Sequence, residues 1–422
     1  MILFSLKIKK GIYGALIHYG EMQNWVTAHS SAVQVITPYD NKLTIMGEGA
    51  SGSGKSEMLE HVHRQEDGTL LLGENLSTGE RHNLTLPRTC SLRPISDDMA
   101  LCHPSIQRND GNLYILDAED SWFIRVDHIT NYGTDRDIEA RWIHPSDPLL
   151  FLNIDAKPGN TALLWDHIED EPGKPCPNPR FISPRESSPH VVKKPVGVDI
   201  RSFEVRTPPC TRENPTYGIV SLAQILPPSL AWVWRLVSPR GFANPSIVDE
   251  GAMSSEGVGS YWPFATRKRI NQANLLFKQI VETPKVRYIL CPIQHIGAWK
   301  VKFMPRWIMR EYFSRRGDAW FTRNQIEAAP TPLLGYSLKR MVVEGVEFFE
   351  ELLQPQKQAE VGEEAYRQGA GILQEFFEKE LQQFMNSDLM PEGREIIQCV
   401  FDRGSVSDFE NLIESQSFIV EN

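Results

Sequence analysis

The sequence predicts an α/β fold that binds a nucleotide on a mixed sheet and carries a helical C-terminal appendage. Three observations carry that expectation. The stretch Gly49-Ala50-Ser51-Gly52-Ser53-Gly54-Lys55-Ser56 fits the phosphate-loop pattern GxxxxGK[ST] in full. Short β-type runs joined by tight turns recur through residues 1–335. Beyond Pro330-Thr331-Pro332 the chain turns helical and acidic, which sets residues 336–422 apart as a C-terminal helical region.

In chain order, Ala32 to Ile36 reads as a strand, followed by the turn Pro38-Tyr39-Asp40-Asn41 and a buried strand from Leu43 to Met46. The glycine loop comes next, and Met58, Leu59 and Val62 behind it form an apolar stripe at helical spacing, so strand, loop and helix stand in the order that phosphate binding requires. Further strands are expected at Thr69 to Leu72, Leu113 to Leu116, Ser121 to Val126, Leu149 to Ile154 and Val286 to Ile293. The proline- and charge-rich stretch from Glu169 to Pro215 reads as a surface excursion, with a lid over a site as the alternative. Arg267-Lys268-Arg269 suits a solvated helix start. Leu338 to Leu353 and Tyr366 to Phe384 set Phe, Leu and Val against Glu, Lys and Gln at helical spacing, suited to packing on the core or to a dimer interface.

Composition narrows the function classes. Of 422 residues, 41% are hydrophobic and 23% charged, as in an ordinary globular chain. A net charge of −10 argues against nucleic acid as partner, because a polyanion wants a basic face. The six cysteines show no CxxC spacing and read as reduced thiols of a cytoplasmic protein. The segment Met1 to Lys10 has its charges on the wrong side for a signal peptide, and no apolar run reaches membrane-spanning length.

The loop itself names a ligand class. Its glycines let successive N–H groups point at one anion, Lys55 can reach the outer phosphates, and the Ser56 hydroxyl can ligate Mg²⁺. Asp97-Asp98, after the apolar lead of Arg93-Pro94-Ile95-Ser96, is a second constellation. A carboxylate pair at a strand end can hold the metal of a triphosphate, although the same pair also fits a turn or a helix cap.

Together these motifs resemble the nucleotide-binding part of ATP-dependent phosphoenolpyruvate carboxykinase and of its relative, HPr kinase/phosphorylase. In the carboxykinases a Lys-Lys-Gly stretch is followed, nineteen residues after its second lysine, by a His-x-Ser-Ala motif and then by the phosphate loop. Lys9-Lys10-Gly11, His29-Ser30-Ser31-Ala32 and the loop repeat that order here, with nineteen residues from Lys10 to His29. With Glu57 added, the loop is closer still to the HPr kinase version. Ser96-Asp97-Asp98 resembles the carboxykinase Gly-Asp-Asp strand end. Asp117 to Arg125 is similar to a segment in which a phosphate-contacting lysine stands where Arg125 does. Ile225-Leu226-Pro227-Pro228 with Arg235-Leu236 resembles Leu-Pro-Pro-Val-Ser-Arg-Leu. The similarity spans roughly residues 5 to 310 and is most specific in its first three motifs.

The resemblance implies a carboxykinase-type nucleotide-binding domain and ATP-dependent, metal-assisted phosphoryl transfer. By it, Lys10, His29 and Asp98 hold a transition metal, usually Mn²⁺. Asp97 and Ser56 serve the Mg²⁺ of the nucleotide, and Lys55, Arg235 and Arg125 offset phosphoryl charge. Carboxykinases carry an amino-terminal substrate domain ahead of the Lys-Lys-Gly stretch. Here the chain begins almost at Lys10, and the segment Gly251 to Phe264 departs towards a carboxykinase-like bacterial family. The expectation is therefore transfer to a small-molecule or protein acceptor, of the carboxykinase kind if a substrate domain exists. An HPr-kinase-like or small-molecule kinase and a nucleotide sensor without turnover stand as alternatives.

Overall fold

The computed structural model describes residues 2–50, 52–125, 136–143, 150–152, 154–155, 166–167, 169–171, 174–175, 180–188, 190–242, 253–413 and 419–420; for 2–10, 125, 136–137, 142–143, 150–152, 154–155, 166–167, 169–171, 174–175 and 420 it describes the backbone alone. Helix α1 (Ile2–Met22) leads into β1 (Thr27–Ile36), which pairs antiparallel with β2 (Lys42–Gly49) from Ser30↔Glu48 to Ile36↔Lys42. Both strands are buried almost end to end because elements cover both faces. The hairpin β3 (Leu70–Asn75) and β4 (Arg81–Leu84) precedes β5 (Ser91–Ser96) and β6 (Met99–Leu101). These last two run antiparallel to β1 on the side away from β2, and Asp97-Asp98 is the bend between them.

Strands β7 (Leu113–Asp117) and β8 (Ser121–Arg125) lead to α2 (Arg136–Ile143). Short strands follow: β9 (Leu150–Leu152), β10 (Ile154–Asp155), β11 (Asp166–His167), β12 (Glu169–Glu171) and β13 (Lys174–Pro175). Strand β14 (Arg180–Pro184) then joins β8 and β9 in a small separate sheet. Next come β15 (Val196–Val198), β16 (Ile200–Arg206), β17 (Gln224–Leu226), α3 (Pro228–Leu236), α4 (Arg269–Glu282), β18 (Arg287–Ile296), β19 (Trp299–Lys302) and α5 (Met304–Arg316). The chain continues through β20 (Phe321–Thr322), β21 (Ile326–Ala328), β22 (Tyr336–Leu338), β23 (Val342–Val343) and β24 (Val346–Glu347). It finishes with α6 (Glu350–Leu353), α7 (Gly362–Leu381), α8 (Pro391–Phe401), α9 (Val406–Glu410) and β25 (Ile419–Val420).

One 14-stranded sheet organises these pieces, with the central order β15-β7-β6-β1-β2-β16-β18-β17-β22-β21. Only β2–β16 and β16–β18 are parallel pairs within it; antiparallel pairs complete the mixed sheet that the sequence predicts. No helix among the described residues is long and apolar enough to cross a membrane. Helices α7 and α8 share one apolar cluster with α3, in which Trp232, Trp234, Phe377 and Phe384 are all fully buried. The Trp234 and Phe377 rings meet edge-on at 4.8 Å.

Three expectations are corrected. The helix expected behind the phosphate loop is a single 3₁₀ turn, Ser56–Leu59. Trp307 Nε1 donates to the Glu57 carbonyl (2.8 Å), and Arg310 Nη1 donates to those of Met58 (2.6 Å) and Glu60 (2.9 Å). Side chains of α5 thus satisfy the carbonyls that a next helical turn would need. The helix expected from Leu338 to Leu353 is mostly the hairpin β23–β24, turning through Glu344 and Gly345 at φ of 50° and 80°, with only α6 helical at its end. Paired valines and a turn with two positive φ values favour a hairpin over a helix. Finally, the surface excursion expected from Glu169 to Pro215 contains β16, which lies between β2 and β18 at the sheet centre. Its Arg201 and Glu204 are polar in sequence, yet both are buried in ion pairs. The expected strand from Leu149 to Ile154 is present as Leu150–Leu152, with residues 149 and 153 outside the described set.

Candidate nucleotide and metal site

The glycine loop leaves the end of β2 and is shaped by left-handed backbone. Gly52 and Gly54 take φ of 77° and 82°, and Ser53 N–H closes the turn on the Ala50 carbonyl at 2.9 Å. A side chain at Gly54 would also have no room: a Cβ there would lie 2.6 Å from ring carbons of Phe303. Ser51 lies outside the described residues.

Lys55 is buried and folds back across the loop mouth, donating from Nζ to the carbonyls of Gly49 and Ala50, both at 3.3 Å. The same Nζ stands 3.4 Å from Asp98 Oδ1. From the other side His29 Nε2 approaches that oxygen to 3.1 Å. The topology explains the meeting. His29 lies on β1 opposite Met99, and the bend Asp97-Asp98 crosses beside it, with Ser30 N–H donating to the Asp98 carbonyl at 2.9 Å. Antiparallel pairing of β1 with β2 brings the loop exit to the same end.

His29 stacks against Tyr13 of α1 with ring centroids 5.0 Å apart, and Tyr13 is tied down by donating to the Gly259 carbonyl at 3.1 Å. Lys10 occupies a position one helical turn before Tyr13 on α1; its side chain lies outside the described residues, as does that of Arg125 at the end of β8. Asp97 is 3% exposed and Ser56 half-buried, and both border one cavity.

Arg235, expected beside the transferred phosphoryl group, is held in the core instead. It is fully buried on α3, where Nη2 donates to Gln279 Oε1 (3.0 Å) and the Tyr261 hydroxyl (3.2 Å) and lies 3.5 Å from Glu48 Oε2. The Tyr261 hydroxyl donates to the same carboxylate at 3.0 Å, and Arg201 pairs with its other oxygen. Burial alone would raise the Glu48 carboxyl, but Arg201 and Arg235 outweigh it and hold it below its usual range. Two guanidiniums thus share one carboxylate near the end of β2.

A second buried pair was not legible in the sequence. Glu204 of β16 stands in register with Gly49, and its Oε2 lies 3.0 Å from Arg306 Nη2 of α5, both side chains being fully enclosed. Burial pushes the Glu204 carboxyl up to about 7, against the pull of Arg306, Ser202 and Lys55. At the rim, Arg206 donates from Nη1 to the Gly52 carbonyl at 3.0 Å. The signal that could have found these residues is the alternation in Arg201-Ser202-Phe203-Glu204-Val205-Arg206, which puts Ser202, Glu204 and Arg206 on one face of a strand.

The donor set at His29 and Asp98 fits a transition metal. An imidazole nitrogen and a carboxylate oxygen lie 3.1 Å apart, and would offer such a metal one nitrogen and one oxygen donor. Among the described residues no group of three His, Cys, Asp or Glu comes together for a metal. Further donors would come from the Lys10 amine or from phosphate oxygens.

Fold and site together define a mixed α/β protein with a phosphate-loop sequence at the end of a central strand, facing a histidine–carboxylate pair. The chain belongs to the family described as a domain of unknown function (DUF4914), whose model matches residues 5–413. No curated protein matches it.

Proposed function

We propose that this protein binds ATP with Mg²⁺ at the Gly49–Ser56 loop and transfers its terminal phosphoryl group in a metal-dependent reaction of the carboxykinase kind. The observation that carries the reading is the convergence of Lys55 and His29 on one oxygen of Asp98, at 3.4 and 3.1 Å. A turn or cap carboxylate has no need of a buried lysine from a glycine loop.

Phosphoryl transfer asks little covalent help of a protein; alignment and fixed positive charge lower most of the barrier. Lys55, on leaving the Gly49 and Ala50 carbonyls, would neutralise the outer phosphate oxygens. Ser56 and Asp97 would hold Mg²⁺, and Lys10, His29 and Asp98 would hold Mn²⁺; bound there, such metals supply charge neutralisation and polarise an oxygen of the acceptor. The carboxykinase resemblance supports the same roles for Lys55, Ser56, Asp97, Lys10, His29 and Asp98.

Calorimetry with Mg-ATP tests the reading. Wild type is expected to bind, and Lys55→Ala to lose about 10- to 150-fold in affinity, as removal of a charge-assisted contact worth about 1.5–3 kcal/mol requires. Equal affinity would overturn it. Phosphorylated products should then appear with ATP, Mg²⁺ and Mn²⁺ on adding oxaloacetate or a cell extract.

A further inference from the structure

Beyond the loop exit lies a cavity of about 280 Å³, which the phosphate-transfer residues border at one end only. That end is formed by Ser56 and Asp97. The walls are mixed: Leu92 of β5, Trp122 and Ile124 of β8, and Ile138 of α2 supply apolar and aromatic surface, with Trp122 2% and Ile138 6% exposed, and Glu60, His61 and Ser91 supply polar groups. Trp122 is locked in place, since its Nε1 donates to Asp117 Oδ2 at 2.6 Å and the same oxygen accepts from Arg185 Nε at 2.8 Å. The remaining side carries Arg141, whose Nη2 donates to the Ser188 hydroxyl at 2.9 Å, and His190, a non-glycine residue at φ of 58°.

We propose that this cavity is the phosphoryl-acceptor site and that the acceptor is a small organic acid with a flat or branched apolar body, its anionic group facing Arg141 and its nucleophilic oxygen facing Ser56 and Asp97. The inference rests on the nucleotide reading above and names the substrate class for it. Two features favour the acceptor over the nucleoside. In-line transfer places the attacking and leaving oxygens on opposite sides of the phosphorus, so an acceptor must arrive from across the phosphoryl group rather than from within the loop. The cavity is lined by Ser56 and Asp97, and none of the described loop residues, Gly49, Ala50 and Gly52 to Lys55, lines it. Size favours a small molecule over a protein acceptor, because a space of this volume with buried aromatic walls holds one ring-sized body and little more.

In the step, the acceptor oxygen forms a bond to the γ-phosphorus while the bond from that phosphorus to the β–γ bridging oxygen breaks, and the electron pair leaves with ADP. For a hydroxyl acceptor the proton leaves to solvent as the oxygen–phosphorus bond forms. A carboxylate acceptor carries no proton to lose and yields an acyl phosphate.

The test uses 4-hydroxybenzoate and isovalerate as probes, one flat and one branched, observed by saturation-transfer NMR on the full chain with and without Mg-ATP. At least one probe should bind wild type at millimolar concentration and stay bound when Mg-ATP is added. Ile138→Trp, which fills the cavity, should weaken it tenfold or more, and Arg141→Gln threefold or more. Both variants should keep Mg-ATP affinity within twofold of wild type and wild-type far-ultraviolet circular dichroism. Displacement of the probes by Mg-ATP, or loss of Mg-ATP affinity in Ile138→Trp, would make this a nucleoside subsite and overturn the proposal. Neither probe binding, or binding unchanged in both variants, would overturn it as well. Absence of Mg-ATP binding by wild type would instead end the nucleotide reading, and the probe results would show separately whether the cavity takes acids.

Discussion

Asp98 is the residue on which the candidate site turns, because one of its oxygens meets both the loop lysine and the strand histidine. Asp98→Asn keeps the size of the side chain and one acceptor oxygen and removes its charge. It is expected to abolish phosphoryl transfer while lowering Mg-ATP affinity less than Lys55→Ala does; full turnover in Asp98→Asn would reduce the pair Asp97-Asp98 to a turn. Glu204 makes a prediction of a different kind. Its carboxyl, raised to about 7 from an ordinary 4.5, takes up a proton more readily when folded than when unfolded. Stability from this group is therefore present at pH 4 and declines as pH rises from about 4.5 to 7, by on the order of 3 kcal/mol, after which the loss is constant. Glu204→Gln lacks that decline, so its stability relative to wild type should improve between pH 5 and pH 8. Denaturant unfolding at the two values measures this, and an unchanged difference would show that Glu204 titrates normally.

At the scale of elements, the site is assembled where β1, β2 and the β5–β6 bend come together, with α1 laid over His29 through Tyr13. The spacing of nineteen residues between Lys10 and His29 has a plain structural content: it carries the chain from the middle of α1 around to the start of β1. If that placement serves a metal, Lys10→Met and His29→Ala should each weaken Mn²⁺ binding tenfold or more, read by water-proton relaxation without nucleotide. Equal binding by wild type and both variants would leave transfer with a single Mg²⁺ as the better account. The loop exit shows the opposite relation of sequence to element. Met58, Leu59 and Val62 have helical spacing, and Met58 and Val62 are buried, yet Arg310 and Trp307 take the carbonyls and the helix stops after one turn. Burial was legible from the pattern, whereas the backbone's choice of partner was not.

Across the whole molecule, the C-terminal helices complete the core rather than decorate it. Trp232 and Trp234 of α3 are covered by residues that include Gly393 and Phe377, and the Ser229 hydroxyl donates to the Phe409 carbonyl at 2.6 Å. Each buried aromatic removes about 150–250 Å² from water, worth about 4–6 kcal/mol at about 25 cal/mol per Å². Uncovering two of them approaches the whole stability of an ordinary domain, about 5–15 kcal/mol. A chain ended at residue 335 should accordingly show no cooperative thermal transition. A sharp transition with Mg-ATP binding intact would make residues 336–422 an appendage after all.

What the sequence by itself determined was the local chemistry: a glycine loop that only glycines can turn, an aspartate pair at a strand end, apolar runs that became β1, β2, β7 and β18, and the helical spacing that became α7. These are short-range properties, fixed by φ preference and by alternation along a few residues. What only the tertiary structure decided was which charges meet. Arg201, Glu204, Arg235 and Arg306 are scattered over more than a hundred residues, yet each is fully buried against a partner from another element. Burying a charge is possible only when an opposite charge arrives at the same place, and that depends on strand order, which periodicity does not encode. The parallel insertion of β16 between β2 and β18 is the event that brings Glu204 beside the loop; the alternation along residues 201–206 marks a strand with Glu204 and Arg206 on one face, but not which strands it enters between.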